Sequence, residues 1–159
     1  MSTMNVPAVA PASGARIAIR SRQLGDIEFD AADVISFCEP VLGFAECDRY
    51  VLIPHTLPDG TASDTIMWLQ AVTAPYHAFI VTDPWGAVAD YAPEISDADA
   101  DQLGLTRFQD ATVVAILTVP GEGAMTINLR APIVFNAVNR TAKQVVLLSD
   151  QYHSRHPLA

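Results

Sequence analysis

The sequence predicts an all-β domain, and three observations carry that prediction. About nine short segments recur along the chain, each alternating or β-branched and each bounded by Gly, Pro or Asp. Connections of hairpin length separate them, among them the Gly-rich VPGEGAM at 119–125. Only one stretch, ISDADADQLGL at 95–105, carries helix signals. A chain of 159 residues fits one domain, since domains run about 100–200 residues. Residues 1–14 are Ala, Pro, Ser and Val without period and are expected to form a disordered tail, so the domain occupies 15–159.

The elements follow in order. ARIAIR sets Ile17 and Ile19 against Arg16, Ala18 and Arg20, and GDIEFD turns Ile27 and Phe29 inward. DVISFC at 33–38 sets Val34 and Ser36 opposite Ile35 and Phe37. YVLIP at 50–54 and TIMWLQAV at 65–72 are more continuously apolar, with Trp68 expected in the core, and the polar HTLPDGTASD at 55–64 joins them. HAFIVTD at 77–83 and TVVAILTV at 112–119 read as further strands, and Asp83 before Pro84 fits a turn. Between them Ser96 is placed to cap a helix of about two turns whose first turn carries Asp97 and Asp99. Carboxylates there meet free N–H groups and the positive end of the helix dipole. Gly104 stops the helix and Leu103 faces the core.

The run MTINLRAPIVFNAV, 125–138, alternates throughout and reads as one long strand. Met125, Ile127, Leu129, Ala131, Ile133, Phe135 and Ala137 share its inward row. Pro132 cannot donate to a ladder, so it marks an edge, a bulge or a bend, as in a strand that serves both sides of a barrel. Asn128 suits a hydrogen bond to neighbouring backbone. NRTAK reverses the chain, and QVVLLS at 144–149 returns as the partner strand.

Charge narrows the function classes. There are 18 acidic residues against 9 basic, a net charge of −9. Nucleic-acid binding leaves a basic footprint, and none is present. An acidic surface attracts basic partners instead. The N-terminus has no Lys or Arg before Arg16 and is interrupted by Pro7 and Pro11, unlike a signal peptide. No apolar run approaches the ~20 residues of a membrane span. The expected location is cytoplasmic, away from membranes, with Cys38 and Cys47 reduced.

Catalytic signals are weak. His153 and His156 form HSRH, a conceivable metal pair, but no Cys or carboxylate cluster sits beside them, and Cys38 and Cys47 are too far apart for a zinc module. There is no G-x-S-x-G elbow, and GEG at 121–123 lacks the lysine and helix of a phosphate loop. Cys38 follows an apolar strand and is expected to be a small buried side chain. No catalytic, cofactor-binding or metal-binding residue is assigned, and no cofactor is expected.

Several stretches, in order, resemble one family. NLRAPIVFNAVNRTAKQVVL followed by Tyr152, Arg155, Pro157 and Leu158 is similar to the C-terminal signature of FliW, the flagellar assembly factor. GDIEFDAADVISFCEPVLGFAECDRYVLI, with Gly43-Phe44 and Tyr50, resembles that family's opening. WLQAVTAPYHAFIVTDPW and Tyr91-Ala92-Pro93 resemble its middle. The resemblance spans about 15–158 and implies a small antiparallel β pseudobarrel capped by short helices and loops. It implies a non-enzymatic regulator that binds flagellin in the cytoplasm and antagonises CsrA, a dimeric RNA-binding translational repressor, by partner switching. In that scheme the protein itself makes no direct contact with nucleic acid.

The resemblance names no contact motif, so the partner surface is placed by charge. One candidate patch is Glu94, Asp97, Asp99 and Asp101; a second is Phe44 with Glu46 and Asp48, acidic groups beside an apolar neighbour. The alternatives are a chaperone or adaptor for another secreted protein, and a small hydrolase or metalloenzyme whose site is assembled from scattered residues.

Overall fold

The computed structural model describes residues 15–158; the expected tail at 1–14 lies outside the described residues. The strands are β1 (Arg16–Ser21), β2 (Gly25–Asp30), β3 (Ile35–Phe37), β4 (Arg49–Thr56), β5 (Ala62–Ala71), β6 (Ala78–Thr82), β7 (Ala111–Thr118), β8 (Thr126–Ile127), β9 (Ile133–Asn136), β10 (Thr141–Gln144) and β11 (His156–Pro157). The helix α1 covers Asp97–Leu103. The fold is all-β, as the sequence predicts.

Seven strands close a barrel in the order β7-β6-β5-β4-β3-β10-β9 and back to β7. Directions cannot alternate all the way around a ring of odd number, so one neighbouring pair must run parallel. That pair is β3 with β10, Ser36 opposite Thr141 and Phe37 opposite Ala142. The remaining six pairings of the ring are antiparallel. β1 and β2 form a separate hairpin. It is tied to the ring by Arg22 N–H to the Tyr76 carbonyl at 3.1 Å and by Ala78 N–H to Gln23 Oε1 at 2.9 Å.

Two cores result. Inside the ring lie Ile35, Phe37, Tyr50, Met67, Leu69, Val81, Ile133 and Phe135. Outside the β7–β9 wall lie Val113, Leu117, Ile127, Leu129, Val134 and Leu147, covered by Leu103 of α1 and by Tyr91 and Tyr152. The wall is apolar on both faces, which is why all four residues of β9 are buried.

The 125–138 run is where expectation and structure differ most. It follows one edge of β7 throughout, but as two short strands. Ile127 pairs with Leu117 and Ile133 with Val114, so five residues, 128–132, oppose only Ala115 and Ile116. The excess loops out as a bulge that contains Pro132. Asn128 Oδ1 accepts from Ala131 N–H at 3.0 Å and braces it, the local role its sequence position suggested. The bulge also moves the inward row between cores: Ile127 and Leu129 serve the outer one, Ile133 and Phe135 the inner. Met125 is exposed, contrary to its assignment to that row.

Five further expectations need correction. The NRTAK stretch is not all loop, because Thr141–Gln144 is already β10. The expected strand 144–149 is therefore displaced; Val145 and Leu147 donate to the Pro132 and Arg130 carbonyls, but no regular ladder forms. Pro132 has no N–H to return the bond, and the bulge breaks the register. Trp68 is outside the inner core: it points outward between Ile53 and Ile80, half-buried, because Met67 and Leu69 take the inward positions of β5. Cys38 is exposed, since β3 ends at Phe37 and the chain bends there; its Sγ lies 3.3 Å from the Ala142 carbonyl. The expected strand 33–38 is correspondingly shorter, with Asp33 ending a 3-10 turn.

Candidate partner-binding site

The helix α1 is built by the signals read from its sequence. Ser96 Oγ accepts from Asp99 N–H at 3.1 Å, and Gly104 closes the C-terminus in the left-handed region at φ 68°. Leu103 is fully buried beneath it. The carbonyl of Leu103 would otherwise be an orphan at the helix end; Asn136 Nδ2 reaches it at 2.9 Å and Asn139 Nδ2 at 3.1 Å.

The carboxylates of the first patch are not equivalent. Asp99 turns toward β10, where Lys143 Nζ donates to Asp99 Oδ1 at 2.5 Å and to Gln102 Oε1 at 2.6 Å. Glu39, from the loop after β3, completes the cluster: its Oε2 lies 3.1 Å from Lys143 Nζ and accepts from Gln102 Nε2 at 3.1 Å. The side chains of Lys143 and Asp99 are 13% and 19% exposed, so this pair is better shielded from water than the other ion pairs described. The hydrogen bond to Asp99, reinforced by Glu39, holds the Lys143 ammonium above the ordinary lysine value despite its burial. The Gln102 amide and then Lys143 hold the Glu39 carboxyl below its ordinary value.

Asp99 is therefore the tether that fastens α1 to the barrel. Glu94, Asp97 and Asp101 are left exposed, with no ion pair among the described residues. In the second patch Glu46 and Asp48 are exposed in the same way. Phe44 is not a free anchor: its ring packs 4.6 Å from that of His77 and 4.8 Å from that of Phe79, against the inner core. Glu39 joins the loop between β3 and β4 to α1, so the elements that carry the two patches touch.

Below Phe44 lies a buried polar group of residues. Tyr50 OH is 2.9 Å from His77 Nε2. Gln70 Nε2 donates to the carbonyls of Ala71 and Tyr76, both at 2.9 Å, and so holds the turn at 73–76. His77 Nδ1 and Gln70 Oε1 have no partner among the described residues. Burial pushes the Tyr50 phenol up and the His77 imidazole down, so both are neutral near pH 7.

Sequence reasoning missed the tether. A lysine within a strand whose neighbours Ala142 and Val145 are buried was the available signal, because such a lysine needs an acidic partner. Nothing local pointed to Glu39 or Asp99 as that partner, since they lie 104 and 44 residues away along the chain (143 − 39 and 143 − 99). Among the described residues no group of three or more His, Cys, Asp or Glu is placed to hold a metal ion. No helix is long and apolar enough to cross a membrane among them.

A closed seven-stranded barrel with an acid-edged helix tethered to its side is a defined architecture, and comparison gives it a family. The family described as "FliW protein" matches residues 18–158. The flagellar assembly factor FliW of Exiguobacterium sp. is 38% identical over 143 residues, covering 88% of this chain and 93% of the relative. That of Syntrophotalea carbinolica is 32% identical over 136 residues, covering 86% and 94%. A crystal structure of a flagellar assembly factor FliW superposes with a TM-score of 0.77 at 32% identity, covering 89% of this chain and 96% of that one. This chain belongs to the FliW family.

Proposed function

We propose that this protein is a flagellar assembly factor that binds flagellin in the cytoplasm and, in a cell that makes it, antagonises CsrA by partner switching, acting by binding and not by catalysis. While flagellin is abundant it occupies the protein, and CsrA represses translation. When flagellin is exported, the freed protein takes up CsrA. The observation that carries this reading is family membership across residues 18–158, where the named relatives are flagellar assembly factors. The carboxylates Glu94, Asp97, Asp101, Glu46 and Asp48, exposed and without an ion pair among the described residues, support it, because they suit a basic partner whose approach complementary fields accelerate.

Titration of the purified protein with flagellin tests the reading, with micromolar or tighter binding expected. Titration with CsrA should show affinity that falls as salt rises. Reversing Glu94, Asp97 and Asp101 to lysine should weaken CsrA binding at low salt and leave the fold intact, since Asp99 keeps the tether. No flagellin binding at micromolar concentrations refutes the reading, and unchanged CsrA affinity in the triple variant removes that patch.

A further inference from the structure

The segment that follows β10 is an unfinished strand. Val145 and Leu147 donate their N–H groups to the Pro132 and Arg130 carbonyls at 2.9 and 2.8 Å. In an extended chain the intervening N–H groups point the other way. Those of Val146 and Leu148 have no partner among the described residues. Their side chains are also bare, 50% and 94% exposed, although both are large and apolar. An open edge with exposed apolar residues is what folded proteins ordinarily cover or charge.

This edge forms one wall of a groove of about 320 Å³. The opposite wall is the stretch from Ala92 to Ser96, which has no regular secondary structure, and Tyr152 also lines the groove. Tyr152 is held in place by accepting from Ala92 N–H at 2.8 Å. Ile95 gives the far wall an apolar contact, and Glu94 puts on its rim an exposed carboxylate with no ion pair among the described residues. Asp150, just past the edge, is already paired with Arg130 at 3.5 Å.

We infer that this groove takes an extended segment of a partner polypeptide, which adds as a strand to the edge at Val146 and Leu148. Main-chain hydrogen bonds to the open N–H groups would supply affinity that is independent of sequence, and alternate side chains would supply specificity. The rim selects the chemistry of the occupant: apolar residues toward Val146, Leu148 and Ile95, and a basic residue toward Glu94. The inference deepens the function proposed above by giving its partner-binding a surface, and it rests on that reading only for the identity of the partner.

The test is amide hydrogen exchange by NMR, with two probes: purified flagellin, and a synthetic peptide of alternating valine and lysine. Strand addition protects the amides of Val146 and Leu148 in the complex and leaves those of Val145 and Leu147, already bonded, unchanged. Val146→Arg with Leu148→Arg should cut affinity at least about tenfold, since it replaces the apolar contacts and repels a basic strand. Both positions are exposed, so the fold is retained, which the exchange pattern of the other strands verifies. Flagellin binding without protection at 146 and 148, with the double variant unaffected, overturns the groove and leaves the proposed function standing. If flagellin does not bind, the proposed function fails and the peptide decides: alternate-residue protection upholds the groove, and its absence overturns it. Protection that appears with rising protein concentration and no probe, alongside a dimer in sedimentation, assigns the edge to a second copy of this chain and overturns the inference.

Discussion

Replacing Gly104 with alanine probes how α1, which carries Asp97, Asp99 and Asp101 of the first acidic patch, is fastened at its C-terminus. Gly104 has φ 68°, a conformation that costs an L-residue with a Cβ about 1–2 kcal/mol. A Cβ at this position would also stand 2.9 Å from Asn139 Nδ2, so that amide must give way. Asn139 Nδ2 is one of the two amides on the Leu103 carbonyl, and displacing it forfeits a hydrogen bond worth about 1 kcal/mol. The sum is about 2–3 kcal/mol. For a chain of this size a loss of 1 kcal/mol lowers Tm by about 2–4 °C, so Gly104→Ala should melt about 5–10 °C lower. In urea the midpoint should fall with an unchanged slope, because the surface exposed on unfolding is the same. Asn139→Ala separates the two contributions: in that background Gly104→Ala should cost only the backbone part, giving a coupling of about 1 kcal/mol. A cost for Gly104→Ala below about 0.5 kcal/mol would refute the argument from φ. Strict additivity in the double variant would refute the contact with Asn139.

Three other outcomes follow from the same geometry. Lys143→Met, which leaves Asp99 half-buried without its ammonium, should lose about 1.5–3 kcal/mol in denaturant unfolding at pH 7. It should also remove part of the pH dependence: Glu39 sits below its ordinary 4.5 and Lys143 above its ordinary 10.5, so the tether holds fully between those values and is lost below and above them. His77 is pushed below its ordinary 6.5 by burial, partly offset by Glu46 and reinforced by Arg22. The unfolded chain therefore takes up the proton first as pH falls through 6.5, stability drops on that side, and His77→Gln should flatten the slope between pH 7.5 and 5.5 in urea titrations. Phe135, 2% exposed at the centre of the inner core, should cost about 3–5 kcal/mol when cut to alanine, read from the shift in urea midpoint.

Much of the fold and little of the site was legible from the chain alone. The helix is the clearest case: Ser96, the acidic first turn and Gly104 act within a few residues of one another, and the structure places each in the role its type suggests. The apolar runs were equally local and located β4 to β7, but β4 runs on to Thr56 and β5 begins at Ala62, inside the stretch expected to be a loop, because cross-strand pairing of Thr56 with Ala62 extends both strands. Pro132 announced a break in the 125–138 run, because a missing N–H is a property of one residue. How large the break is, five residues against two, depends on the register with β7, and no local pattern encodes it. The candidate residues divide in the same way. Exposure of Asp97 and Asp101 follows from polarity on a short helix and that of Glu94 from polarity in the segment before it, whereas the capture of Asp99 by Lys143 needs α1 and β10 to meet.

What the sequence by itself determined is the all-β class, most of the strands before residue 125, the helix with its caps, the acidic skin and the family, since each rests on residue types interacting with near neighbours or on stretches that match in order. Only the tertiary structure decided that seven strands close with one parallel pair, that the β9 wall serves two cores, that Lys143 ties a helix to the barrel, and that the chain after β10 keeps an open edge. The physical reason is that ring closure and ion-pair capture depend on which distant segments share space, and that is set by the sum of all the packing at once.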